Sequence, residues 1–372
     1  MDINVKVKEN LQIRPFYLFF IITSIQIGIG ILGFPKIVYQ EALQDSWISI
    51  LFTFFYIVAV VIVMFMILNQ YKNADIYGIQ VDIFGKWIGK ILGTIYILYF
   101  GITLFSILIT YMEVVRISIF PSISNLALGG LLLCLVVYSV LGGIRVVVGV
   151  CTLFFLGTQW LFLLLIQPAM EVDFTHLQPM FVTPFPDLLE GAKVSSYTFM
   201  GFELLLVIYP FIKNKKKAKL PTFLAVSWST ITILLLTMLV IGYFSHNQIL
   251  RREWALLGLF KIQNFTFIER FDYVVVTEWM LVIITNMILL MWAMTYGMKR
   301  LYNISQKTTL YLISIILLIA CIFVDEHFQI QKVIDTSSQI GLWIVYVYPF
   351  FLLPIVLFKK RKQRKKEKKH AK

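Results

Sequence analysis

The sequence predicts an all-α polytopic membrane protein, with ten transmembrane helices forming a five-plus-five inverted repeat in which helices 1 and 6 are broken. Three observations predict it. Charged residues make up only 14% of the 372 residues and hydrophobic ones 59%, whereas a soluble domain carries about 25% charge. The apolar residues gather into ten runs near the ~20 residues needed to cross a bilayer. The first and sixth runs are each interrupted, and the third and eighth are the long ones. Both pairs lie five runs apart, and an odd offset makes the two halves cross in opposite senses, as in inverted-repeat transporters.

In chain order the spans fall at Phe16–Phe34, Trp47–Leu68, Ile91–Val115, Leu126–Leu141, Val146–Ile166, Leu188–Ile212, Phe223–Tyr243, Phe267–Met298, Thr308–Val324 and Ile340–Phe358. Met1 to Asn10 is polar and the first run is long enough to span, which reads as a retained first helix rather than a cleavable signal. Asp75 to Lys90 is amphipathic, carries Trp87 between Lys86 and Lys90, and is expected along the inner interface. Gly142 to Arg145 leaves room only for a tight turn. Glu171 to Asp187, with Pro179, Pro184 and Pro186, is expected as an ordered, non-helical lid. The eighth run is longer than the bilayer core and should tilt.

Lysine and arginine orient the bundle. With the N-terminus inside, 25 of the 33 fall on the inner side and seven on the outer, Lys193 lying within a span. One transmembrane domain is therefore expected: residues 1–15 a cytoplasmic N-terminus, 16–358 the bundle and 359–372 a basic cytoplasmic tail. That tail holds ten of the cationic residues. It suits anionic lipid rather than nucleic acid, because the chain has no basic and aromatic interleaving outside the apolar runs. Cys134, Cys151 and Cys321 lie in apolar runs, and the four histidines form no metal-ligand pair. No cofactor or metal is expected, and the absence of a nucleophile, base and metal constellation argues against an enzyme.

The stretch Ser24 to Pro35 organises the reading. Gly28 and Gly30 weaken a helix at membrane depth, and Pro35 is expected to close the segment. Its Gly28-x-Gly30-x-x-Gly33 spacing matches a dinucleotide fingerprint, but a strand and a soluble βαβ unit are missing. Hydrocarbon cannot satisfy an unwound backbone, so the break must face protein or a polar cavity. In the sixth run Ser195 to Gly201 is the matching interruption. Two facing breaks suit a zwitterion. Gly28, Ile29, Gly30 and Ile31 would form one wall of the site. The carboxylate would meet N–H groups exposed after the break, around Gly30 and Ile31, and the ammonium the carbonyls near Ser196 to Phe199. Tyr99, Thr103, Met200 and Thr285 are the candidates for side-chain selectivity, against the plainer alternative of helix packing.

Acids inside spans are costly and usually functional. Glu203, after the second break, is read as an interhelical strut, a proton site or a gating contact. Glu113 stands three residues before Arg116, the spacing of a local ion pair.

Gly28-Ile-Gly-Ile-Leu-Gly-Phe-Pro35, Phe84-Gly-Lys-Trp-Ile-Gly89, Phe199-Met-Gly-Phe-Glu203, Phe267-Ile-Glu-Arg-Phe271 and the basic C-terminus together resemble the B subunit of bacterial spore germinant receptors. That family lies within the amino acid–polyamine–organocation transporter superfamily. The resemblance implies a protein of the spore inner membrane that binds a nutrient, typically an amino acid, between its broken helices. It also implies assembly with a membrane A subunit and a lipoprotein C subunit. The family's pocket would fall on Gly28, Gly30, Tyr99, Thr103, Met200, Gly201 and Thr285. Phe271-Asp272 would serve an outer gate or a subunit contact. The other reading is a proton- or cation-coupled amino acid transporter, with Glu203 or Glu113 in coupling.

Overall fold

The structure is a computed structural model that describes residues 2–261 and 271–370, with side chains as far as Lys366. Residues 267–270 of the Phe267–Phe271 motif therefore lie outside the described residues. Sixteen α-helices follow one another among the described residues. Among these residues the only strand-like pairings are two isolated bridges, Asn4 with Ala74 and Ile13 with Ile212.

The first run folds as α1 (Tyr17–Gln26), an extended Ile27 and Gly28, a 3-10 turn over Ile29–Leu32, and α2 (Phe34–Ala42). Pro35 does not close the segment. It sits in the first turn of α2, where its missing N–H costs nothing, and the helix runs on past the expected end at Phe34. The next elements are α3 (Ser46–Leu68) and α4 (Ile76–Ser118), the latter broken at Gly85 with φ +82°. A Cβ on Gly89 would lie 2.6 Å from Val81 Cα, so the Phe84–Gly89 motif lets the chain double back tightly. The part before the break is not the interfacial helix expected: Ile76 to Gln80 are buried in the bundle, and the exposed residues are those from the break onward, Gly85 to Ile88.

Then come α5 (Asn125–Leu141) and α6 (Gly143–Thr158), joined at Gly143 with φ +78°. A 3-10 stretch over Gln159–Leu165 leads into α7 (Ile166–Met170). The sixth run is α8 (Phe185–Thr198), a break at Phe199 to Gly201, and a bent continuation through α9 (Leu205–Ile208), the two halves meeting at 52°. The following helices are α10 (Lys219–Tyr243), the short α11 (His246–Arg251) and α12 (Ala255–Phe260), α13 (Phe271–Tyr302) and α14 (Gln306–Phe323). Finally α15 (His327–Gly341) passes through one π-helical turn into α16 (Tyr348–His370). Residues 327–339, expected as a loop, are thus helical.

Seven of these helical stretches are long and apolar enough to cross a membrane, or eight if the bent pair of the sixth run is one span. Tyr17–Gln26 and Asn125–Leu141 are shorter apolar helices, so the expected ten is not reached by length and composition alone. Packing nevertheless follows the offset of five: α3 lies on α10, α4 along α13, α2 on α8 and α5 on α14. The protein is an integral membrane protein.

Its lysine-rich end is tied shut by the N-terminal strand. Val5 N–H donates to Asn73 O at 2.7 Å, Ile13 N–H to Phe211 O at 2.8 Å, and Arg145 reaches Glu9 O and Gln12 O. Beneath it the buried Asp75 accepts from Arg300 Nε at 2.7 Å and from Tyr296 at 2.6 Å, while Arg300 also donates to Asp2 O. At the other end the segment from Glu171 to Pro184 is irregular apart from one 3-10 turn. Asp45 fixes it by accepting the N–H groups of Phe181, Val182 and Thr183 at 2.7 to 3.0 Å.

Candidate functional site

A cavity of about 190 Å³ lies between the two helix breaks. One wall is unwound backbone from Gly28 to Ile31, the second is Met200 and Gly201 with Glu203 behind, and α4 supplies Tyr99 and Thr103. Eight of the predicted ligand-binding residues therefore share one space: Gly28, Ile29, Gly30, Ile31, Tyr99, Thr103, Met200 and Gly201.

The two breaks arise from different local causes. At Gly28 the backbone is extended rather than left-handed, and what demands glycine is space: a Cβ there would lie 3.1 Å from Asn286 Oδ1. Asn286 Nδ2 donates to Ser24 O at 2.9 Å, to Ile27 O at 3.3 Å and to Val282 O at 2.8 Å. One amide thus satisfies carbonyls left over where α1 ends, which lipid could not do. The N–H groups of Gly28, Ile29 and Gly30, on the other side of the break, donate to no other part of the chain among the described residues. At Gly201 the cause is conformational: φ is +119°, and a Cβ would also sit 2.6 Å from Ile25 Cγ1.

Glu203 is fully buried and holds the second break in place. Its Oε1 accepts from the Tyr99 hydroxyl at 2.9 Å and its Oε2 from Gly201 N–H at 2.7 Å. Of the three roles read from the sequence, this geometry is that of the strut, joining α4 to the turn after α8.

Three predicted residues are placed elsewhere. Ser196 O accepts from the Tyr346 hydroxyl at 2.7 Å, and Phe199 O accepts from Gln26 Nε2 at 3.0 Å. Each of these carbonyls thus already accepts one side-chain hydrogen bond, and neither residue is part of the cavity lining. Thr285 lines a separate, mostly apolar crevice of about 40 Å³ beside Thr23 and Trp279. One residue along a helix turns the side chain by about 100°, so it is Asn286 that faces the cavity. Glu113 is also repartnered. It meets His327 Nδ1 at 2.7 Å instead of Arg116, and Arg116 pairs with Asp325. The start of α15 brings His327 within reach, an element absent from the sequence reading. Phe271 and Asp272 open α13 and are buried, outside the cavity lining.

The sequence reading missed Gln26, Asn286, Trp254 and the α15 face. An amide inside an apolar helix is itself a signal, because polar side chains there must find partners. Gln331, Ile334 and Ser338 line the cavity at helical spacing, and Thr103 bonds Ser337 at 2.9 Å. Trp254 and Glu253 close over Gly33, where a Cβ would meet Glu253 O at 3.1 Å, and Lys36 clamps Glu253 at 2.6 Å. Two of the lining residues carry a buried polar atom without a partner: the acceptor Gln26 Oε1 and the donor Trp254 Nε1. Such atoms cost free energy unless something meets them.

Comparison with known proteins agrees with this architecture. The family model described as spore germination protein matches residues 12–330. The chain is 35% identical over 337 residues to the spore germination protein GerQB of Bacillus cereus, covering 91% of this chain and 93% of that protein. Spore germination proteins YndE and A2 of Bacillus subtilis (strain 168) are 23% and 22% identical, covering 92% and 94% of this chain and 96% and 97% of their own lengths. Among solved structures, a Na+-coupled sialic acid symporter in a substrate-bound, outward-open state superposes with a TM-score of 0.62 at 13% identity. The match covers 94% of this chain and 76% of that one. That likeness shows a transporter-type fold and nothing about substrate. The chain therefore belongs to the spore germination protein family, as the resemblance to germinant-receptor B subunits implied, and is a non-enzymatic membrane protein of spore germination.

Proposed function

We propose that the chain is the nutrient-sensing membrane subunit of a spore germinant receptor, seated in the spore inner membrane with both ends cytoplasmic. It works with a membrane A subunit and a lipoprotein C subunit. The observation that carries this reading is the cavity between the breaks, lined by Gly28 to Gly30, whose N–H groups have no partner among the described residues, and by Gln26 and Trp254, each with one buried, unpaired polar atom. At about 190 Å³ it is below the 300–1,000 Å³ of sites for drug-sized ligands, and an amino acid is the matching class of nutrient. The carboxylate meets the N–H groups of Gly28 to Gly30 and Trp254 Nε1; the ammonium meets Gln26 Oε1. Binding ties α1 and α2 to the turn after α8. It favours whichever conformation holds the two breaks at that distance, and the bias passes to the partner subunits.

Asn286 speaks against cation-coupled transport. Its amide fills the point where the carbonyls of Ser24, Ile27 and Val282 converge, a place otherwise suited to a cation. Radiolabelled amino acid uptake by the chain alone in proteoliposomes tests the reading. Saturable binding without accumulation is expected, and concentrative uptake overturns it. Gly30→Leu offers a second test. The nearest atom to a Cβ there is Thr198 Oγ1 at 3.9 Å, so the new side chain should fill the cavity and abolish the nutrient response at near-normal protein level. An unchanged response would place the nutrient elsewhere.

A further inference from the structure

The lysine-rich end of the bundle holds a second cavity, of about 960 Å³, which the nutrient reading does not use. It is walled by the N-terminal strand, the start of α4 after Gly85, the α5–α6 turn, the end of α13 and the start of α14. Lys6, Lys8, Lys86, Lys90, Lys299 and Lys307 line it, and Asp2 is the one acid on the lining. Arg300 is already committed to Asp75, and Lys90 lies 5.4 Å over the Tyr302 ring. None of the six lysines forms an ion pair among the described residues. A concave surface lined by unpaired cations concentrates anions.

The lining also holds an apolar group, Val140, Leu141, Ile144, Leu301 and Leu310, beside the polar Asn303 and Gln306. Just beyond it the side chains of Trp87, Ile88 and Ile91 on α4, and Tyr311 and Leu312 on α14, are exposed. In a membrane protein such faces meet acyl chains, and a Trp between lysines marks the headgroup level. A rim of cations above apolar walls is complementary to an amphiphile. Lysine ammoniums suit phosphate as point charges, whereas the planar fork that carboxylates favour, on Arg300, is spent on Asp75.

We propose that this cavity seats the phosphate headgroup of an anionic phospholipid, with its acyl chains along the exposed faces of α4 and α14. Because Lys6 and Lys8 lie on the N-terminal segment that bonds Asn73, ahead of α4, and Phe211, after α9, the bound headgroup also holds that end of the bundle closed.

Native mass spectrometry of the full chain, purified in neutral detergent and titrated with phosphatidylglycerol or phosphatidylcholine, tests it. Wild type should retain phosphatidylglycerol about tenfold better than phosphatidylcholine. Lys6→Gln/Lys8→Gln/Lys299→Gln/Lys307→Gln should lose that preference, and Lys362→Gln/Lys365→Gln/Lys366→Gln in the tail should keep it. A preference that survives in the first variant, or is lost only in the second, overturns the proposal. Should the fourfold variant fail to fold, wild type alone decides. Retention that does not fall with added salt overturns it. So does displacement of the lipid by an equal concentration of inorganic phosphate, or by an acidic peptide, which would assign the cavity to a free anion or a protein segment.

Discussion

The two helix breaks look alike in outline and differ in chemistry. At the first, a neutral amide donor, Asn286, covers carbonyls and leaves the N–H groups of Gly28 to Gly30 open. At the second, a carboxylate acceptor, Glu203, takes the N–H of Gly201, while Gln26 and Tyr346 take the carbonyls of Phe199 and Ser196. The second break is saturated by the protein's own side chains, and the first is half open. On the proposed reading a ligand has more to gain at the first, and the second is the fixed jaw opposite it.

Removing the strut should break the comparison most severely. Glu203→Ala leaves the Tyr99 hydroxyl with only the weak Met200 sulfur acceptor and the buried Gly201 N–H with none, at a cost of about 3 kcal/mol. Thermal unfolding in detergent should show it, with Glu203→Gln milder because one acceptor survives. Equal melting of wild type and Glu203→Ala would mean that the jaw is held by something else.

Glycine substitutions sharpen the contrast. Gly201→Ala forces a side chain into positive φ and against Ile25, costing about 3 kcal/mol. Gly28→Ala meets only the movable Asn286 amide at 3.1 Å and should cost about 1 kcal/mol. If both lose the same stability, the two breaks do not have the separate causes assigned to them. Asn286→Leu lies between, at about 2 kcal/mol, because two carbonyls of α1 lose their donor.

Gln26→Met sits on the boundary between jaw and ligand. It removes the donor to Phe199 O and the unpaired Oε1 together, and should weaken amino acid binding about tenfold in a radioligand assay. Unaltered affinity would remove the ammonium from that position.

The smallest effect concerns the loop over the far end. Burial raises the carboxyl pKa of Asp45, but the backbone N–H groups of Thr183, Phe181 and Val182 outweigh it and hold the group below its ordinary value. The folded pKa being the lower one, this anchoring is complete above the ordinary carboxylate range and is lost as pH falls through the depressed value. Hydrogen exchange at residues 181–183 should stay slow at neutral pH and speed up only in acid. Acceleration already near pH 6 would show that another group holds the loop.

Much of this was legible in the chain. Helix breaks at Gly28 and Gly201 follow from glycines set in apolar runs, and Tyr99, Thr103 and Met200 reach the cavity as their positions implied. Glu113 was legible as an intramembrane acid but not as the partner of His327, because that pairing spans 214 positions. Residues 327–339 were hidden for another reason: their polar composition reads as a loop, and burying one face of α15 against α4 is what makes them a helix.

By itself, then, the sequence determined the membrane class, the places where the helices must come undone and the sign of the charge at one end, because hydropathy, glycine content and lysine placement act locally. Only the tertiary structure decided which polar groups those breaks leave free. A backbone group at membrane depth is satisfied by whichever side chain packing brings within about 3 Å; here Asn286, Gln26 and Tyr346 come from distant stretches of chain, and only Glu203, two residues from Gly201, is local.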